Sequence, residues 1–127
     1  MANELILVVE DNAKNLKLVR DLLVFNGFRT LEATTAEDGV ALALQHRPRL
    51  ILMDIQLPGM DGVTALRRLR ADPRSAAIPV VALTAFAMKE DRARFVDAGF
   101  DGYLAKPIDV RAFPRQVHGF VAANGDA

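Results

Sequence analysis

The 127-residue chain predicts an α/β fold, a parallel sheet covered by helices on both faces. Three observations carry that expectation. Apolar runs of strand length alternate with segments of helical period. The runs Leu5–Val9 and Leu50–Met53 are apolar at every position, as strands with two buried faces are. Four runs end in chemistry-bearing residues: Glu10-Asp11, Asp54, Thr84, and Lys106-Pro107.

Leu5–Val9 reads as the first strand. Leu16, Val19, Leu22 and Leu23 then recur at helical spacing, with Gly27 as the stop and Asp11 or Asn12 as the cap. Thr30–Ala33 is a more polar strand, suited to an edge. Thr35 with Asp38 resembles a capping box opening a second helix, whose apolar residues Val40, Ala41 and Leu44 precede Pro48. Leu50–Met53 is the third strand, and Val63, Leu66 and Leu69 mark a third helix that Asp72-Pro73 breaks. Pro79 is tolerable as the first residue of a fourth strand. Phe86–Ala98 reads as helix, with Met88, Phe95 and Val96 on its packed side and Gly99 as its stop. A fifth strand lies near Tyr103, and a last helix begins near Val110.

The last helix contains one conflict. A cap at Asp109 would leave Pro114 beyond the first turn, where it deletes a hydrogen bond and costs ~3 kcal/mol. A later start, with Pro114 in the first turn, is the favoured resolution; a kink is the alternative. Residues 122–127 read as a fraying tail on a single domain whose core runs from about 4 to 121.

Composition excludes several functions. Sixteen basic and sixteen acidic residues give zero net charge, so electrostatic capture of nucleic acid or of an acidic membrane is not expected. Cysteine is absent, which removes disulfides, thiol catalysis and zinc–thiolate sites. The apolar runs fall short of the ~20 residues that span a bilayer. Met1-Ala2-Asn3-Glu4 lacks the regions of a signal peptide, so a cytoplasmic location is expected. His46 and His118 have no acidic or thiol partner at ligand spacing and read as surface residues, as do Arg67, Arg68 and Arg70. Met53, Met60 and Met88 read as packing or loop residues.

Right-handed crossovers place the C-terminal ends of parallel strands on one edge, where open α/β folds bind ligands. Glu10, Asp11, Asp54, Thr84 and Lys106 would then meet in one cavity. Three carboxylates without histidine or thiol favour a hard cation, and Mg²⁺ fits better than zinc. Crowded carboxylates would have raised pKa values unless a cation compensates. Lys106 and the Thr84 hydroxyl suit phosphoryl oxygens, and a carboxylate can attack phosphorus. Taken singly, Asp54 could form a turn, Glu10-Asp11 could cap a helix, Thr84 could be a strand terminus and Lys106 a solvated charge. Their conjunction at four strand ends favours phosphoryl chemistry.

Val8–Asn12, Met53–Gly62, Leu83–Ala85 and Tyr103–Pro107 together resemble the receiver domain of two-component response regulators, across about Leu5 to Phe120. The resemblance implies the CheY-like, flavodoxin-like doubly wound fold, with strand order 2-1-3-4-5. It implies Asp54 as phosphoacceptor, and Asp11, Glu10 (through water), Asp54 and the Gln56 backbone carbonyl as the Mg²⁺ site. Thr84 and Lys106 would contact the phosphoryl group, Tyr103 would be the switch aromatic, and Lys106-Pro107 would be cis. Implied partners are a sensor histidine kinase or histidine phosphotransfer protein and a downstream protein target. Output would pass through the surface of the fourth helix, fifth strand and fifth helix, which could also form a homodimer. Leu52–Pro58 and Thr84–Lys89 further resemble the DivK group of single-domain regulators, although hybrid histidine kinases carry receivers of similar wording.

Two other classes fit less well. A Mg²⁺-dependent phosphohydrolase usually needs a second aspartate two residues after its nucleophile, where this chain has Gln56. A nucleotide- or flavin-binding module would have a glycine-rich loop after the first strand, where this chain has Glu10-Asp11. The expected role is therefore a phosphoacceptor in signalling and not an enzyme.

Overall fold

The computed structural model describes residues 4–57, 59–84 and 96–125, with side chains to Ala122. Five parallel strands form one sheet in the order β2-β1-β3-β4-β5. They are β1 (Leu5–Val9), β2 (Arg29–Ala33), β3 (Leu50–Asp54), β4 (Val80–Thr84) and β5 (Gly102–Ala105). The described helices are α1 (Ala13–Phe25), α2 (Ala36–His46), α3 (Gly62–Ala71) and a C-terminal helix (Phe113–Gly125). Both the flavodoxin-like fold and the expected strand order are observed. The polar β2 takes an edge, pairing only with β1.

Side chains along a strand point alternately to opposite faces, and this parity divides the core in two. Leu7, Val9, Ile51, Met53, Val80 and Ala82 face the layer that contains Ala43, Ala65, Leu66 and Leu69 of α2 and α3. Ile6, Val8, Leu50, Leu52, Val81 and Leu83 face Val19 and Leu23 of α1 and Phe113, Val117 and Val121 of the C-terminal helix. Every residue of β3 and β4 is buried, as their hydrophobic composition requires.

Helix starts follow from side-chain capping. Asn12, Thr35 and Asp61 accept hydrogen bonds from the backbone N–H groups of Asn15, Asp38 and Thr64. The buried face of α2 runs through Ala36, Gly39 and Ala43 and leaves Ala41 exposed. Gly39 decides that rotation: a Cβ there would lie 2.7 Å from Val9 Cγ2, so a bare backbone lets α2 rest on β1.

The regular C-terminal helix starts late, at Phe113, placing Pro114 in its first turn, directly after a turn in which Phe113 N–H donates to the Asp109 carbonyl. Asp109 Oδ1 accepts from the N–H groups of Arg111 and Ala112 and holds the preceding turn. Three expectations are corrected. Residues 122–125 belong to this helix and not to a tail. Val96 is 62% exposed and not packed. Arg70, expected in water, is half-buried and ties the end of α3 to the strand entrances. It donates to the carbonyls of Ala76, Ile78 and Gly99 and to Asp101 Oδ2. The expected fourth helix lies largely outside the described residues, with Met88 and Phe95.

Candidate phosphoacceptor and metal site

The strand ends β1, β3, β4 and β5 lie side by side in the sheet, and the chain leaves each toward the same rim. Glu10 follows β1, Asp54 closes β3, Thr84 closes β4, and Lys106 follows β5. Register locks the rim, because Lys106 N–H donates to the Thr84 carbonyl and Ile55 N–H to the Leu83 carbonyl. Parity then sorts the side chains. Asp54 shares the parity of Leu50 and Leu52, and Glu10 and Lys106 continue that of Val8 and Leu104, toward the α1 side. Thr84 has the opposite parity, that of Val80 and Ala82, and Tyr103 packs on that α2–α3 side.

On the α1 side the charges meet. Lys106 Nζ lies 2.7 Å from Asp54 Oδ2 and 2.7 Å from Glu10 Oε1. The first contact is an aligned hydrogen bond, whereas the second is a charge contact that leaves Glu10 Oε1 without one. Glu10 is completely buried, Asp54 is 5% exposed, and Asp11 is exposed at the mouth. Backbone amides hold the other carboxylate oxygens: Asn12 N–H donates to Glu10 Oε2 and Gln56 N–H to Asp54 Oδ1.

Burial pushes the Glu10 carboxyl above its ordinary range, and the neighbouring Asp54 adds to the shift although Lys106 opposes it. Burial alone would lower the Lys106 ammonium, but pairing with Asp54 and Glu10 outweighs it, and its pKa rises. The lysine is the compensating cation for two close carboxylates.

Glu10, Asp11 and Asp54 each offer a carboxylate oxygen, all within 4.8 Å of one another. An all-oxygen donor set with one buried oxygen lacking an aligned hydrogen bond fits a hard divalent cation such as Mg²⁺. The residues present fit that ion.

Thr84 lies at the same rim and is 2% exposed. Tyr103 is half-buried, two residues before the end of its strand. The Lys106–Pro107 peptide bond is cis. At Gln56 the backbone N–H is the group seen engaged, on Asp54. Gly62 is a residue that sequence reasoning missed. A Cβ there would stand 2.9 Å from the Asp54 carbonyl oxygen and from Ile55 Cα, so the start of α3 packs directly against the end of β3. An Asp-Gly pair opening a helix after a loop is the signal that could have shown it.

A five-stranded parallel sheet bearing this acidic rim and lysine defines a class, and the chain belongs to it: residues 6–118 match the response regulator receiver domain family. Among its relatives, the polar-differentiation response regulator DivK of Brucella anthropi is 42% identical over 122 residues, covering 96% of this chain and 97% of that protein. DivK of Brucella ovis is 41% identical over the same shares. The receiver domain of the sensor histidine kinase PA1611 of Pseudomonas aeruginosa has a similar structure. Its TM-score is 0.87 at 35% identity, covering 95% of this chain and 99% of that one, with a magnesium ion coordinated in its active site cleft. The chain is thus a CheY-like receiver domain of two-component signalling, similar to DivK. Among the described residues no helix is long and apolar enough to cross a membrane.

Proposed function

We propose that Asp54 accepts a phosphoryl group from the phosphohistidine of a sensor histidine kinase or a histidine phosphotransfer protein. The phosphorylated chain then controls a separate target protein. The observation that carries this reading is the Lys106 ammonium on Asp54 Oδ2, beside the buried Glu10. An Asp54 carboxylate oxygen attacks phosphorus, forming the O–P bond of an acyl phosphate as the N–P bond breaks. The electron pair of the broken bond stays on the imidazole nitrogen. Lys106 offsets charge at the acceptor, and Gln56 N–H holds Oδ1 so that the carboxylate keeps its orientation.

Glu10, Asp11, Asp54 and the Gln56 carbonyl would hold Mg²⁺, which when bound offsets the negative charge of carboxylates and phosphoryl oxygens. The Thr84 hydroxyl donates to a phosphoryl oxygen. Its movement opens space for Tyr103, because both side chains belong to the same face of the sheet. Local charge thereby biases a two-state surface formed by the fourth helix, β5 and the C-terminal helix. A swing from 1:99 to 99:1 in that equilibrium requires ~5.5 kcal/mol of differential stabilisation. With Gln56 where a hydrolase would place its acid, turnover is limited to slow loss of the acyl phosphate.

Intact mass spectrometry after incubation with acetyl phosphate and Mg²⁺ tests the reading. The native chain should gain one phosphoryl group, while Asp54→Asn should gain none; undiminished labelling of the variant overturns the assignment. Mg²⁺ should raise the melting temperature of the native chain and not that of Asp11→Asn.

A further inference from the structure

At the opposite end of the sheet, where β3 and β4 begin, a cavity of about 190 Å³ opens between two loops. Its walls include Pro48 and Arg49 before β3, Pro73 and Arg74 after α3, and Ile78 and Pro79 before β4. Strands of five residues at ~3.3 Å each put it about 16 Å from the phosphoacceptor rim. The volume is below the ~300 Å³ at which cofactor and drug-like sites begin, but it is large enough for one apolar side chain. Prolines supply a rigid apolar wall that loses little entropy on binding.

The charge around the opening is one-sided. Arg74 is already held by Asp72, with Nε at 3.2 Å from Oδ1 and Nη2 at 2.9 Å from Oδ2. Arg49 is exposed and has no side-chain partner among the described residues. Arg47 is also exposed, and its charge reaches Asp72, helping Arg74 to hold that carboxyl below its ordinary range. Two of the lining residues, Arg49 and Arg74, are arginines and none is acidic; Asp72 already pairs with Arg74, and Arg47 precedes Pro48 of the lining in sequence.

We propose that this pocket docks an extended acidic segment of a partner protein, an apolar side chain entering between the prolines while flanking carboxylates meet Arg49 and Arg47. Guanidinium–carboxylate pairs at such a rim set register and selectivity, and the apolar side chain supplies the burial. The site is far from Asp54, so it binds the unphosphorylated chain equally and anchors a partner whatever the state of the switch. It stands apart from the proposed phosphoryl chemistry, and either can fail without the other.

The test is an amide chemical-shift titration of the full, unphosphorylated chain with a blocked peptide in which leucine is flanked on both sides by glutamates. Saturable shifts are expected at Arg49, Arg74 and Ile78, weakening about tenfold in Arg49→Glu and in Arg47→Glu, a loss of ~1.4 kcal/mol. Leucine flanked by lysines should leave these amides unmoved. No saturable shift, equal shifts with the lysine peptide, or equal shifts with inorganic phosphate alone would each overturn the proposal.

Discussion

Lys106 Nζ donates to Asp54 Oδ2 at 2.7 Å, a side-chain bond that joins the end of β5 to the end of β3 across 52 residues of chain. The same ammonium stands against Glu10, which is completely buried. Removing one partner of a buried charge set leaves the others uncompensated, at a cost of roughly 3–5 kcal/mol, reduced where water enters. Lys106 is 18% exposed, so Lys106→Met should destabilise the chain by about 3 kcal/mol at neutral pH without divalent ions.

That loss should depend on pH with a definite sign. The folded-state pKa of Glu10 is raised above the ordinary 4.5, so its contribution to stability is full below 4.5 and is lost as pH rises through the folded value. Without Lys106 the rise is larger. Urea unfolding should therefore show a smaller Lys106→Met penalty at pH 5 than at pH 7. Equal penalties would mean that charge compensation is not what Lys106 contributes.

Asp61 behaves in the opposite sense. Its carboxylate caps α3 through Thr64 N–H at 2.8 Å, and that bond holds its pKa below the ordinary 3.8. Its stabilisation is present above 3.8 and is lost as pH falls through the folded value. Asp61→Ala should cost about 1 kcal/mol near neutrality. Asp61→Asn should keep the cap and flatten the acid limb of the stability curve, read by circular dichroism below pH 4.

Arg70 draws together pieces far apart in sequence. Its guanidinium reaches Asp101 Oδ2 at 2.7 Å and the Ile78 carbonyl at 2.6 Å, while the same Asp101 oxygen accepts from Val80 N–H. Charge-assisted bonds of this kind contribute about 1.5–3 kcal/mol when a partner is left unsatisfied. Arg70→Ala should lower stability by about 2 kcal/mol, and Arg70→Lys should recover little, because an ammonium cannot reproduce the planar fork. Full recovery by lysine in thermal melts would show that charge alone suffices.

Arg47 ends α2 at φ 47°, in the left-handed region where a side chain costs about 1–2 kcal/mol. Glycine has no such cost but loses some of the gain through its freer unfolded state. Arg47→Gly should therefore stabilise the chain, by roughly 0.5 kcal/mol in denaturant melts, while weakening the acidic peptide at the Pro48 pocket.

Much of this molecule was legible in one dimension. The uninterrupted apolar runs of β1 and β3 could only be strands buried on two faces, and alternation with helical segments implied parallel pairing. Thr35-x-x-Asp38 announced the start of α2, and the conflict at Pro114 was resolved as the missing N–H of proline demands. Legibility ended where rotation and distance mattered. The apolar residues of α2 did not reveal that Gly39 turns the helix and exposes Ala41, because the reason is a methyl group on Val9 of another strand. Arg70 read as a wet surface residue because its partners, Ile78 and Asp101, become neighbours only after three elements pack.

Local chemistry along the chain determined which residues could form strands and helices, and which polar groups would stand at strand ends. Tertiary structure alone decided that Glu10, Asp54 and Lys106 share one face of the sheet while Thr84 and Tyr103 occupy the other. The physical reason is strand register, since a slip of one residue inverts every side chain. Backbone bonds such as Lys106 N–H to the Thr84 carbonyl hold that register and bring an ammonium onto two buried carboxylates.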